Sequence, residues 1–545
     1  MTEQNSNSKI VGRTISPGLV IGPAFVYHGE RLEALAGTYD IEQHQVGDEL
    51  QCLDRAMRTV GEDLRVSSRR IETDTNTKLA AIFEAHEAML EDQGLRREIH
   101  EVVEEELICG AQALTRVFRR WERKFREMSE QTHQQHADDV VDLGRRLLRE
   151  MAGVKTTPLE KMPPGRVLVA RRLLPSDTVA LPRRSVIGVV VEFGGPGSHA
   201  ALLAEALGIP TVAQVAKVTE KVADEDVLIV DGFHDEVLIN PDAFTQATYT
   251  EEIRNAQSRT IQVMESARQP AQTLDGTAVS VLANVGCRED VSAAADNGAE
   301  GVGLYRLEQF YLSRKTPPAA VELLAELRVT FAPMKGKPVT VRLLDLGGDK
   351  PLPFLKLPPE DNPFLGQRGV RLLLRYPDLL DTQLQALGQF SQDHDVRIMV
   401  PMVTLADEMV QVRSRLAAVA NGIGREKLPP LGAMIETPAA ALCVAEIKAH
   451  ADFLSIGTND LTQYTMAAGR ENPLVNDYFQ EDHPSVLRLL RIIVEEAGQV
   501  PVALCGELAR QLSALSSLLK LGLRTLSVAP PLVPGVKDAI RQIKL

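Results

Sequence analysis

His199 stands in Gly194-Gly195-Pro196-Gly197-Ser198-His199, directly before the helix-like run Ala200 to Leu207. A neutral imidazole is nucleophilic at physiological pH and forms a labile, transferable phosphoramidate. Amides at a helix start, with Ser198 as an added donor, hold phosphate oxygens. The segment reads as a phosphate acceptor, and a satisfied loop histidine is the plainer alternative. A second set of reactive residues follows. Glu436 and Asp460 supply two carboxylates of the kind that bind Mg²⁺ shared with a phosphorylated substrate, although either alone is more commonly a hydrogen-bonded structural acid. Arg306, Arg342, Arg368 and Arg470 carry planar guanidinium groups that grip carboxylate and phosphate oxygens in bidentate fashion. One such arginine would pass for a surface ion pair; four at one mouth point to a small, highly anionic substrate. Leu344 to Lys350 is a glycine-rich turn whose amides can approach an anion, with Lys350 as a point charge, and glycine turns alone are weak evidence. Cys505 is of a type more often buried as a small hydrophobe, but at a strand end it can protonate a carbanion.

These residues need a frame. From Val279 onward, eight strand-like segments alternate with helix-sized intervals: Val279 to Asn284, Gly301 to Arg306, Val339 to Asp345, Arg397 to Pro401, Leu431 to Glu436, Phe453 to Gly457, Val502 to Gly506 and Thr525 to Val528. Eight βα repeats are what a (β/α)8 TIM barrel requires, and barrel active sites lie at the carboxyl ends of the strands. Arg306, Asp345, Glu436 and Cys505 close strands in this reading, and Asn459 and Asp460 follow the sixth. Glu436 and Asp460 are expected to face each other across the barrel mouth. An open doubly wound sheet is the alternative architecture.

The N-terminal half differs. Residues 9 to 27 alternate and carry glycine and proline, as short β structure does. From Ile41 to Met151 the period turns helical: Leu50, Leu53, Met57, Val60 and Leu64, then Ile82, Phe83, His86 and Leu90. Strand-like runs resume at Arg166 to Ala170, Val186 to Glu192 and Val227 to Val230, so the helical block reads as an insertion in an α/β unit. Phe244 to Met264 forms a polar helical stretch ending at Pro270, either a swivel arm or an ordinary surface helix. The fold class is multidomain α/β: an N-terminal α/β domain over 1–30 and 152–240 with an inserted helical bundle at 31–151, a helical linker at 241–272 and a barrel at 273–545.

At 545 residues, 44% hydrophobic and 25% charged, the chain can bury full-sized cores. Its net charge of -14 argues against sequence-independent nucleic-acid binding, which needs a basic surface. No apolar run reaches the ~18 residues of a membrane span and the start lacks a signal-peptide core, so no membrane insertion and a cytoplasmic setting are expected. The cysteines, Cys52, Cys109, Cys287, Cys443 and Cys505, are scattered without metal-ligand pairing.

Several segments together resemble the enzyme I family of phosphoenolpyruvate-protein phosphotransferases, and more distantly pyruvate phosphate dikinase and phosphoenolpyruvate synthase. They are Gly301 to Arg306 (GVGLYR), Asp345 to Lys350, Asn362 to Gly366, Ile435 to Pro438, Ser455 to Tyr464 (SIGTNDLTQY) and Cys505 to Leu508. Ala81 to Asp92 (AIFEAHEAMLED) and Asp139 to Arg149 (DVVDLGRRLLR) resemble the helical domain that docks the phosphocarrier HPr. The resemblance spans nearly the whole chain. It implies that Mg²⁺ on Glu436 and Asp460 bridges phosphoenolpyruvate, and that Arg306, Arg342, Asn459 and Arg470 neutralise the transferring group. His199 then attacks phosphorus, Cys505 protonates the enolate to pyruvate, and the phosphoryl group passes to an HPr-like carrier; a homodimer through the barrel is expected. Departures from the family pattern are Pro196 and Gly197 in the histidine loop, Glu205 in place of an arginine, Leu307 in place of a threonine and Gly469 in place of an aspartate. The family continues past the last helix whereas this sequence stops at Leu545, so the barrel is expected to finish early. A phosphoenolpyruvate-binding sensor with weak or no transfer is the alternative function; a lyase or mutase on the same barrel leaves the N-terminal half unexplained.

Overall fold

The computed structural model describes residues 8–29, 37–74, 77–127, 131–154, 158–180, 186–194, 201, 204, 208–312, 314–347, 352, 354–355, 357–358, 360–424, 427–470 and 472–545. The chain divides into two units, Met1–Gln257 and Ser258–Leu545.

The first unit is built on an eight-stranded sheet. Its strands are β1 (Ser8–Val11), β2 (Arg13–Ser16), β3 (Leu19–Tyr27), β4 (Val167–Ala170), β5 (Gly188–Val191), β6 (Thr211–Ala213), β7 (Val227–Asp231) and β8 (Glu236–Ile239), in the order β1-β8-β7-β3-β4-β5-β6-β2. β3 to β6 pair in parallel, and the outer strands add antiparallel. β4 and β5 read as unbroken apolar runs because both sheet faces are covered. The pleat sends Leu168 and Ala170 into one core with the helical bundle, and Val167 and Val169 into a second core with Val218 and Val222.

Among the described residues, five α-helices stand between β3 and β4: α1 (Val46–Asp74), α2 (Thr77–Glu91), α3 (Gln93–Glu106), α4 (Gly110–Glu127) and α5 (Gln131–Met151). Leu53, Met57, Val60 and Leu64 form the buried stripe of α1, spaced as a helix face requires. Asp92 caps α3, its carboxylate accepting the Leu95 N–H at 2.9 Å. The segments 81–92 and 139–149 meet here: fully buried His86 on α2 lies with Nε2 3.0 Å from Asp139 Oδ1 on α5. One turn on, Asp142 accepts the Ser176 N–H at 3.2 Å and the Ser176 hydroxyl, fastening the bundle to the sheet layer. Beside it Tyr27 Oη donates to Asp177 at 2.9 Å, and burial together with the charge of Asp142 lifts the Asp177 carboxyl to about 6.

The helix Ala243–Ser266 realises the polar stretch after β8 and buries none of its residues. The second unit opens with β9 (Ala271–Gln272), paired antiparallel to β10 (Ala278–Val285). Then come β11 (Val302–Arg306), β12 (Val339–Arg342), β13 (Val396–Val400), β14 (Leu431–Ile435), β15 (Phe453–Ile456), β16 (Val502–Leu504) and β17 (Thr525–Val528). Each pairs in parallel with the next, and β17 returns to β10, closing an eight-stranded (β/α)8 barrel. Alternate residues such as Ile398, Val400, Ala433, Ile435, Leu454 and Ile456 join the outer core. Leu304, Met399, Met434, Phe453 and Cys505 fill the barrel interior.

Two expectations are corrected. β12 ends at Arg342, so Asp345 lies on the following loop and closes no strand. β14 and β15 are hydrogen-bonded neighbours, so Glu436 and Asp460 sit on adjacent loops and not across the mouth; consecutive parallel strands of a barrel lie side by side. The helix Val533–Arg541 follows the eighth strand, and its fully buried Lys537 donates to the Ala267 and Gly298 carbonyls at 3.0 and 2.8 Å. Among the described residues no helix is long and apolar enough to cross a membrane.

Candidate functional site

Strand register and loop tethers bring the reactive residues of the second unit to one mouth. Arg306 is the last residue of β11 and Arg342 the last of β12, paired in register. Glu436 and Cys505 are the first residues after β14 and β16. Asn459 and Asp460 begin the helix Thr458–Met466. The 455–464 and 505–508 segments interlock physically. Asn459 Oδ1 accepts the Glu507 N–H at 2.8 Å, and a Cβ on Gly506 would lie 1.9 Å from Thr458 Oγ1, so only glycine permits this approach.

Charges in the mouth are arranged in a chain. Arg342 donates through Nη2 to Glu308 Oε1 at 2.8 Å and lies 3.1 Å from Asp345 Oδ2 through Nη1. Arg368 grips Asp345 with Nε and Nη2 at 3.3 and 2.9 Å and reaches Asp460 Oδ1 with Nη1 at 3.0 Å. Burial opposes the charge on both arginines, but Glu308 and Asp345 around the first, and Asp345 and Asp460 around the second, outweigh it and raise their pKa values. Gly347, at φ 106°, lets the loop turn back so that it bridges to Arg368. The side chain of Arg306 is exposed and makes no hydrogen bond or ion pair among the described residues. The protein around its guanidinium, and then the charge of Arg342, lower its pKa.

Glu436 is 1% exposed, and its Oε1 accepts the Met402 N–H at 2.7 Å. Met402 holds the left-handed φ of 57° that aims this N–H, a conformation uncommon for a side chain of its kind. Burial first, then the charges of Asp460 and Asp345, push the Glu436 carboxyl up to about 8. The charge of Arg342 offsets only part of this, and a divalent cation would supply further positive charge. Among the described residues no group of three or more acidic, histidine or cysteine side chains is arranged as a metal cage. Two carboxylates completed by water and substrate oxygens are, however, the donor set Mg²⁺ usually takes. The residues therefore fit such an ion.

Cys505 is buried beneath this layer, its Sγ accepting the Ser455 hydroxyl at 3.3 Å and lying 3.5 Å from the Ile456 carbonyl. Burial raises its pKa above the ordinary thiol value, so it carries its proton at neutral pH. Arg470 is exposed, with its N–H on Gln463 Oε1 at 3.1 Å. Leu307 is fully buried in the outer core. Lys350 and, in the first unit, His199 with Pro196, Gly197 and Glu205 lie outside the described residues.

Residues 261–545 match the family description "PEP-utilising enzyme, PEP-binding domain", and 11–135 and 162–235 match the N-terminal and mobile domains of the same enzymes. The chain is 35% identical over 548 residues to a phosphoenolpyruvate-protein phosphotransferase of Geobacillus stearothermophilus, covering 98% of this chain and 93% of that protein. The chain belongs to the phosphoenolpyruvate-utilising enzymes. A second relative of that name, from Haemophilus influenzae, is 32% identical over 545 residues, with 98% and 94% coverage. A solution structure of Enzyme I (nEIt) protein is 29% identical, covering 46% of this chain and 99% of that one with a TM-score of 0.38. Enzymes of this family use a divalent metal, as the acid layer around Glu436 accommodates.

Sequence reading missed Glu308 and Ser455. Glu308 stands two residues after the GVGLYR arginine and holds both Arg342 and the Asp345 N–H, the latter at 3.0 Å. Its helix-start position after a strand-terminal arginine was the available signal. Ser455 heads the SIGTNDLTQY segment, and only the pairing of β15 with β16 places it beside Cys505.

Proposed function

We propose that this chain transfers the phosphoryl group of phosphoenolpyruvate to His199 and from there to a histidine of an HPr-like phosphocarrier, releasing pyruvate. The observation that carries this reading is the mouth itself: three arginines beside the Glu436–Asp460 pair, with a protonated, buried thiol beneath. Arg306, free of protein partners among the described residues, and Arg342 take the phosphate and carboxylate oxygens. Arg368 orders Asp345 and Asp460, and Asn459 and Arg470 complete the contact with the transferring group; Lys350 adds a further positive charge. Glu436 and Asp460 would hold Mg²⁺, whose charge would offset that of the substrate oxygens. A nitrogen of His199 bonds to phosphorus as the bridging P–O bond breaks and its electron pair passes to the enolate oxygen. The enolate C3 then takes the Cys505 proton, and pyruvate forms.

The parts divide accordingly. Residues 1–30 and 152–240 carry the phosphohistidine, 31–151 dock the carrier, 241–272 link, and 273–545 bind phosphoenolpyruvate and dimerise. Exposed Leu365, Leu474 and Tyr478 on the loops after the third and sixth barrel strands support a homodimer through the barrel. A reducing, cytoplasmic setting accords with five free cysteines.

The test is incubation of the chain with Mg²⁺ and labelled phosphoenolpyruvate beside a His199→Ala variant. Acid-labile, base-stable phosphate is expected on the wild type and none on the variant. Binding without label on the wild type would make the protein a sensor, and equal label on both would remove His199 as the acceptor.

A further inference from the structure

The mechanism above asks one more thing of Cys505: its S–H must point at the enolate when the enolate forms. A thiol proton rotates about the Cβ–Sγ bond, and a weak S–H donor has little to fix it. In this barrel the competing acceptor is at hand, because the Ile456 carbonyl lies 3.5 Å from Cys505 Sγ on the strand side. The only hydrogen bond of the Ser455 hydroxyl among the described residues is to Cys505 Sγ, at 3.3 Å, and the serine is 1% exposed. Ser455 faces the barrel interior because Leu454 and Ile456, its neighbours on β15, face the outer core. Asn284 on β10 holds the other end of the cysteine: its Nδ2 donates to the Cys505 carbonyl at 2.9 Å and to the Ser527 carbonyl at 3.1 Å. Backbone and sulfur are thus each fixed by a different strand.

We propose that Ser455 is the positioning residue for proton delivery: its O–H occupies a sulfur lone pair, fixes the thiol rotamer and turns the Cys505 S–H toward the substrate. The inference rests on the reading of Cys505 as proton donor. In the step it serves, the S–H bond breaks, a C3–H bond forms from the enolate π pair, the C2 carbonyl closes and a thiolate remains. The same hydroxyl then donates to that thiolate, the charged form, which favours its formation; solvent returns the proton. An apolar side chain at 455 would leave a thiolate in a buried interior with one donor fewer.

The experiment compares full-length wild type with Ser455→Ala, Ser455→Thr and Cys505→Ala, measuring pyruvate release and the stereochemistry of protonation. Phosphoenolpyruvate labelled isotopically on one C3 hydrogen, turned over in isotopic water, gives a chiral methyl group when one face is protonated on the enzyme. Enolpyruvate that escapes and ketonises in solution gives a racemic one. Ser455→Ala should lower kcat by about tenfold, the order of one hydrogen bond to a charged group, with KM for phosphoenolpyruvate unchanged and chirality lost. Ser455→Thr, which keeps the hydroxyl, should recover rate and chirality. Should Ser455→Ala fail to fold, a folded Ser455→Thr that has lost chirality overturns the proposal by itself. If Cys505→Ala loses chirality while Ser455→Ala matches wild type, the inference fails and the acid assignment stands. If Cys505→Ala itself keeps wild-type rate and chirality, the assignment beneath the inference fails.

Discussion

Glu436→Gln is expected to lose phosphoenolpyruvate-dependent phosphorylation by at least about 10²–10³-fold while making the metal-free protein more stable at alkaline pH. The two effects have one cause. Burial and the neighbouring charges of Asp460 and Asp345 hold the Glu436 carboxyl up at about 8, above its ordinary value of 4.5. Between those values the folded protein keeps a proton that the unfolded chain releases, so stability falls as pH rises through that window and levels off above it. Glutamine keeps the acceptor for the Met402 N–H, carries no charge, and removes that slope. Melting temperatures in chelator should coincide near pH 4.5 and separate in favour of the variant by pH 8.5. Wild-type activity in the variant would sink the metal assignment. A variant no more stable at pH 8.5 would show that Glu436 is not strained by its neighbours.

A carboxyl strained where it stands marks a candidate functional position, and the placement of such positions on the barrel rim is legible in the sequence. Glu436, Asp460, Arg306, Arg342 and Cys505 are visible because the barrel repeat fixes where strand ends fall. Eight apolar segments at βα spacing announce a closed sheet, and its carboxyl rim is then the place to look. The two halves of the N-terminal unit were legible for a similar reason. The period changes from helical to alternating at the places where the chain leaves and re-enters the sheet.

What the sequence hid is pairing between distant segments. Arg368 reads as a substrate arginine, yet in the structure it is taken up by Asp345 and Asp460. No spacing rule connects positions 345, 368 and 460; the contact depends on a loop turning back at Gly347. Asp345 was placed on a strand because Leu343 and Leu344 extend the apolar run, and both are fully buried beyond the end of β12. Burial continues there without ladder hydrogen bonds, which composition cannot distinguish from a strand. The expected opposition of Glu436 and Asp460 failed on topology alone, since strands five and six of a barrel are neighbours.

Arg368→Met carries the second large expectation, and it separates holding the site from touching the substrate. The methionine keeps length and removes the cation, leaving Asp345 and Asp460, with side chains 4% and 20% exposed, without the group that neutralises both. Arg342 remains 3.1 Å from Asp345 but its other arm is committed to Glu308. Removing one partner of a buried ion pair costs about 3–5 kcal/mol, so the barrel should be destabilised by that order. The loss should be local. The chain's one tryptophan, Trp121, lies in α4 of the first unit, so its fluorescence follows the helical bundle and not the barrel. Hydrogen exchange read by peptide should therefore show lost protection in β12 and β15 of the variant, with α4 peptides and the Trp121 transition unchanged. Asp345→Asn added to Arg368→Met should recover part of the protection, because it removes one of the two stranded charges. Unchanged exchange in β12 and β15 would mean that Arg368 is not needed to hold these acids and is free to bind substrate, returning it to the role its spacing first gave it.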